Sequence, residues 1–179
     1  MRINRELPLR FLPAGPEFLD RFLALQTEVA GPVPDHSVFH PDTPDELAAW
    51  LSVPGAAFAA LYDDLLAGYT IASFPVEKSG HPGLDIGIPE AEFSSCLVIE
   101  TSIVHPDFRG RGLQQRMIKD LIESWIQKGV SHVFSYCSPK NPASLKSLLR
   151  CGLGIRKTVL KFGGFERCLL HMDAKDGNR

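Results

Sequence analysis

The run Val98-Ile99-Glu100-Thr101-Ser102-Ile103-Val104-His105-Pro106-Asp107-Phe108-Arg109-Gly110-Arg111-Gly112-Leu113 passes from strand to helix through a basic, glycine-bearing turn. Its apolar first half reads as a buried strand that ends at Pro106, and the spacing after Gly112 reads as an amphipathic helix over Leu113 to Lys128. Exposed backbone N–H groups at a helix start, with the helix dipole behind them, form an anion site. Gly110 and Gly112 let a phosphate approach without a Cβ in the way, and Arg109 and Arg111 add positive charge. A solvated basic turn would use the same residues, so the surroundings decide between the two. Other phosphate-binding patterns fail on spacing. A P-loop needs Gly-x-x-x-x-Gly-Lys-Ser/Thr, and a dinucleotide turn needs a third glycine at position 115, which is Gln115.

Working outward, Leu7 to Leu12 reads as a first strand, and Pro16 to Ala30 as a helix with Phe18, Leu19, Phe22, Leu25 and Val29 at helical spacing. Thr43-Pro44-Asp45-Glu46 opens a second helix with a threonine cap, proline in the first turn and acids at the positive end. Ala56 to Tyr62 and Leu65 to Phe74 form a hairpin around Asp63-Asp64, with the turn type open for want of a glycine. Residues 75–94 carry too many prolines and glycines for a core element and are expected to be a functional loop. His132 to Cys137 is a strand, Ala143 to Arg150 a short helix, and Ile155 to Phe162 and Arg167 to Met172 a closing strand pair. The order β-α-α-β-β-β-α-β-α-β-β predicts a single mixed α/β domain over residues 1–179.

With 44% hydrophobic and 22% charged residues in a chain of 179, the composition is that of an ordinary globular protein. A formal net charge of -2 gives no pull toward nucleic acid or an anionic membrane, and neither is expected as a partner. Cys96, Cys137, Cys151 and Cys168 include no Cys-x-x-Cys pair and suit buried thiols in a reducing compartment. The charged start of the chain and a longest apolar run of seven residues, Ala56 to Tyr62, suggest neither a secretory leader nor a membrane span, so a cytoplasmic location is expected. His36 and His40 stand four apart, but Pro32, Pro34 and Pro41 argue against a metal-binding helix and no third ligand is indicated, so no metal is expected.

Val104-His105-Pro106 followed by Arg109-Gly110-Arg111-Gly112-Leu113-Gln114 resembles the strand end and Gln/Arg-x-x-Gly-x-Gly/Ala turn of the GCN5-related N-acetyltransferases. Gln114 departs from that family's small residue. A second family segment, Asn-x-x-Ala-x-x-x-Tyr-x-x-x-Gly-Phe, is similar to Asn141, Ser144, Leu148, Gly152 and Leu153, with Leu148 in place of the tyrosine. The resemblance implies a mostly antiparallel central sheet with splayed strands flanked by helices, with residues 95–153 as the cofactor-binding core. It implies acetyl-CoA as co-substrate, its pantetheine arm pairing with backbone around Ser102, Ile103 and Val104. The pyrophosphate would lie on the amides of Arg109, Gly110, Arg111, Gly112, Leu113 and Gln114, with Asn141 and Ser144 contributing from the next helix. Asn141-Pro142 equally fits a plain helix cap. The acceptor would be a small-molecule or peptide amine, bound between residues 31–42 and the 75–94 loop, and a homodimer through the last strands is compatible with the resemblance.

Direct transfer to an amine needs a base, a stabilised oxyanion and a proton or dipole for the leaving thiolate. Glu100 is the base candidate, as the one acid inside the apolar run from Cys96 to Val104, where a carboxylate is costly unless paired or functional. A structural ion pair is the competing role. The family's acid would be a tyrosine at 148, which this chain lacks, and Tyr136 on the facing strand is the remaining proton donor. Cys137 lacks a cationic helper and is not expected to act as nucleophile. The alternative to an enzyme is a non-catalytic acyl-CoA-binding or sensing module, motivated by Leu148 and Gln114.

Overall fold

The computed structural model describes residues 8–33, 35, 37–75 and 77–175. Its centre is one seven-stranded sheet in the order β1-β2-β3-β4-β5-β7-β6. The strands are β1 (Leu9–Ala14), β2 (Ala57–Tyr62), β3 (Leu65–Ser73), β4 (Cys96–Val104), β5 (His132–Cys137), β6 (Gly154–Lys161) and β7 (Phe165–Asp173). Helices α1 (Leu19–Ala30), α2 (Pro44–Leu51), α3 (Leu113–Ile126) and α4 (Pro142–Arg150) complete the predicted order. Leu7 and His36 lie outside the described residues.

Apolar spacing explains the layers. On one face Phe22 and Leu25 of α1 and Leu47 and Leu51 of α2 bury against Ala59, Tyr69, Ile71 and Ile103 of the sheet. On the other, Ile118, Leu121 and Ile122 of α3 and Leu148 of α4 pack on Leu97, Ile99, Val133 and Leu170. α2 begins in the capping box the sequence suggests. Thr43 Oγ1 accepts from the Glu46 amide at 3.3 Å while Glu46 reaches back to the Thr43 amide at 2.8 Å. The β2–β3 turn is closed by Asp63 in the left-handed region, φ 49, a conformation aspartate tolerates and two-residue hairpin loops favour. All four cysteines are buried free thiols.

Every neighbouring pair is antiparallel except β4 and β5. These two run parallel and pair only from Cys96↔His132 to Ile99↔Ser135, after which they separate. The separation begins at a bulge. Thr101 faces Ile71 and Ile99 faces Ala72 on β3, so Glu100 is the extra residue of β4. A V-shaped opening therefore lies between the ends of this parallel pair, beside the one charged side chain of β4.

Candidate functional site

The V opens into a cavity of about 830 Å³ that runs from the glycine turn, past Glu100, to the loop before α2. At one end, α3 starts at Gly112 (φ 74) just after Gly110 (φ 75), both in the left-handed region that excludes most side chains, with open space where each Cβ would project. No acid occupies the first turn of α3, so the free amides there face the cavity with the dipole uncompensated. Arg109, Gly110, Gly112, Leu113 and Gln114 line this end; Arg111 faces a smaller adjoining pocket, and its Nη2 reaches the Asp107 carbonyl at 3.4 Å.

Between the glycine turn and Glu100 the free edge of β4 forms the cavity wall. Thr70 Oγ1 donates to the Thr101 carbonyl, and the Ile103 carbonyl lies against Gly68, so both face β3. The carbonyls of Ser102 and Val104 alternate to the open side. Each is held by a side chain of the motif: Gln114 Nε2 donates to Ser102 O at 3.3 Å and Arg109 Nε to Val104 O at 3.3 Å. Gln114 also donates to Ser144 Oγ at 3.2 Å, bridging the V from β4 to α4 at the position where the resemblance leads one to expect a small residue. Asn141 Oδ1 accepts from the Ser144 amide at 3.1 Å, which makes it the α4 cap while it also lines the cavity. The Ser102 hydroxyl is buried without a hydrogen-bond partner among the described residues.

Beyond Glu100 the cavity is acidic and aromatic. Glu100 accepts a short hydrogen bond from Ser73 Oγ, and its pKa is pushed up to about 7, first by burial, with the charges of Asp42 and Glu46 adding to the rise. Asp42 is pushed up to about 6, again first by burial, against the hydrogen bond it accepts from Thr101 Oγ1 at 2.5 Å. Gln26, buried in α1, clamps the Asp42 backbone from both sides at 2.8 and 3.1 Å. Glu46 is held in its charged form by the Thr43 cap. Tyr136 lines the wall with its hydroxyl buried and unpartnered, its pKa raised to about 12 chiefly by burial, and the Lys161 ammonium 4.9 Å from its ring centre. Cys137 also lines the wall, but burial raises its pKa and keeps it a thiol. Leu148 belongs to the core between α3 and the sheet.

The far end of the cavity is lined by Val33, Val38, Phe39, His40 and Asp42 from residues 31–42, but by no described residue of the 75–94 loop, which was expected beside them. That loop closes on itself, His81 stacking on Phe93 at 3.6 Å, and is tied to β6 by Lys157 Nζ on Asp85 at 2.9 Å. Its place is taken by Trp50 of α2, by Phe162 in the β6–β7 turn and by Arg167 of β7. Phe162 has φ 53, unusual for a bulky side chain, and its ring stacks on His40 at 5.0 Å. Among the described residues no group of three or more His, Cys, Asp or Glu is placed to hold a metal.

The sequence profile of the acetyltransferase (GNAT) family matches residues 22–153. Curated proteins provide no match. Among solved structures, diaminobutyrate acetyltransferase EctA from Paenibacillus lautus, in complex with L-2,4-diaminobutyric acid and coenzyme A, is similar at TM-score 0.71 and 12% identity, over 94% of this chain and 96% of that one. YncA from Salmonella typhimurium, solved with its cofactor acetyl-CoA, is similar at 0.69 and 14%, over 92% and 93%. Ribosomal-protein-alanine N-acetyltransferase from Brucella melitensis is similar at 0.68 and 16%, over 92% and 99%. At these identities the likeness is one of fold.

Proposed function

The chain belongs to the acetyltransferase (GNAT) family, and from that premise we propose that it transfers the acetyl group of acetyl-CoA to an amine by direct attack. The supporting observation is continuity: one cavity joins a helix-start anion site, a strand edge that departs from its neighbour, and a buried carboxylate. Relatives of the same fold were solved with acetyl-CoA or coenzyme A. The amides at Gly112 to Gln114 and the charge of Arg109 would hold the pyrophosphate. Ser102, Val104, Asn141 and Ser144 would line the pantetheine path, with Gln114 exchanging its hold on the Ser102 carbonyl for the incoming amide.

Acetyl-CoA supplies the thioester. The amine nitrogen bonds to the acetyl carbon, the carbon–sulfur bond breaks, and the amine gives up a proton while the sulfur gains one. Glu100, with a pKa near neutrality, is tuned to accept the amine's proton directly or through water. Tyr136 keeps its proton at neutral pH and presents it from a hydroxyl with no other partner, which fits the donor to sulfur now that Leu148 is part of the core. That same Leu148 favours a second reading, a module that binds acyl-CoA without turnover. Thiol release from acetyl-CoA across a broad amine panel, beside calorimetric binding of acetyl-CoA, separates them. Acceptor-dependent release is expected; binding with no release on any amine would leave the binding module, and no binding would remove both.

A further inference from the structure

Arg167 is 3% exposed, yet its guanidinium stands at the wall of the acceptor end of the cavity. Its Nη1 is spent on the carbonyls of Ser37, at 2.7 Å, and Glu166, at 2.9 Å. Among the described residues no carboxylate comes within ion-pair distance of it, and none accepts a hydrogen bond from Nε or Nη2. Asp35, whose charge acts on it, is engaged by Lys140 at 3.0 Å and by the Ser37 amide at 2.8 Å. The guanidinium lies over the rings of Phe162 and Phe165, at 5.3 and 5.7 Å. Stacking covers the flat face and leaves the in-plane edge to meet a partner. A buried cation without a counter-ion is costly, so an arrangement that holds one at a cavity wall is explained by an anion that arrives from the cavity.

The same cavity carries Asp42, Glu46 and Glu100, so a cationic fork and a group of acids face one space. We propose that the acceptor is of the amino-acid class: a small amine that also bears a free carboxylate, bound side-on by Nε and Nη2 of Arg167 with its amino group turned toward Glu100. The inference rests on the acetyltransferase reading and narrows it. Two parallel N–H donors in one plane match the two oxygens of a planar carboxylate. A peptide chain entering by its N-terminus would bring no carboxylate so near its amine and would leave the fork empty.

The test compares matched acceptors: amino acids, including basic and diamino acids, their carboxamides, their decarboxylated amines and their aminophosphonate analogues. Each is measured for thiol release and, on enzyme saturated with coenzyme A, for calorimetric binding without turnover. Carboxylates are expected to bind at least tenfold more tightly than the carboxamides and amines, with the difference in KM rather than kcat. Arg167→Gln should abolish that preference while decarboxylated amines keep their KM. Arg167→Lys, which retains the charge without the fork, should recover only part of it and serves if the glutamine variant does not fold. Turnover without a carboxylate preference, a preference that survives in the folded glutamine variant or stays undiminished in the lysine variant, or aminophosphonates binding best would overturn the assignment and leave the acetyltransferase reading standing. Acetyl-CoA binding with no turnover on any acceptor would instead defeat that reading. In that case carboxylate binding lost on Arg167 substitution would still support the anion site, and its absence would reject it.

Discussion

At Glu100, burial, the Ser73 hydroxyl and the fields of Asp42 and Glu46 act on a single carboxylate and leave it titrating near neutrality. Rate should therefore rise with pH through about 7 as this group ionises, and a pH–rate profile of Glu100→Gln should lack that limb. The loss is expected at roughly 100- to 10,000-fold near neutral pH, closing at high pH where free amine is abundant, with acetyl-CoA affinity unchanged. Stability carries the opposite sign. A carboxyl with a raised folded-state pKa keeps its proton longer in the native state than in the unfolded one, so the fold loses stability through Glu100 as pH climbs from about 4.5 to 7. Asp42 acts the same way up to about 6. The melting temperature of Glu100→Gln should therefore gain on the parent's as pH is raised across that window. A variant destabilised throughout would make Glu100 a structural group. Glu100 was legible because an acid inside an apolar run is conspicuous. Arg167 stands at the edge of such a run, where a charge looks like an ordinary strand flank, and only the fold shows it buried. Asp42 was invisible for another reason: its burial depends on Thr101, 59 positions away, and on Gln26 of α1.

The start of α3 shows how far an element can be read from its own residues. Glycines before a helix with no acidic first turn predict an anion site, and the positive φ angles at Gly110 and Gly112 explain why glycine is used there. The role of Gln114 could not be read this way, because its partners, Ser102 and Ser144, belong to other elements. Gln114→Ala removes a competitor for the Ser102 carbonyl, so acetyl-CoA should bind more tightly, by roughly three- to tenfold if one hydrogen bond's net worth is recovered. Calorimetry on both proteins checks this, and weaker binding would make Gln114 a direct ligand. Gly112→Glu should abolish acetyl-CoA binding, since it forces a side chain into the left-handed region and sets a negative charge at the anion site. Retained affinity in a folded variant would move the site elsewhere. The 75–94 loop shows the reverse limit. Its breakers identified a loop correctly, but composition could not say that His81, Phe93 and Asp85 would turn it toward β6 and away from the cavity.

Across the molecule, β5, β7 and β6 are joined to the rest of the sheet by a ladder of only four residue pairs. A ligand in the V would touch both sides of that joint. At about a hundred times its Kd, acetyl-CoA should add roughly 2.7 kcal/mol of stability, a rise of about 5 to 10 °C in melting temperature for a chain of this size. Hydrogen exchange should slow most in β5 and in β4 beyond Ile99; protection confined to α3 would mean the ligand leaves the joint untouched. Element order was legible throughout because helical and strand periods differ, whereas the bulge that opens the V was not, since a one-residue shift leaves no mark in an apolar run. That bulge sets a rule of parity for the chain. Side chains on a strand alternate, so the extra residue at Glu100 decides which face every later position of β4 serves, and with it whether Thr101 meets Asp42 and which carbonyls reach the open edge. Substitutions at the apolar positions of this strand can be absorbed one at a time, but a change in its length cannot. Among descendants of this sequence, the apolar positions of β4 can exchange one aliphatic residue for another while Glu100, Thr101 and the count from Cys96 to Val104 should stay fixed.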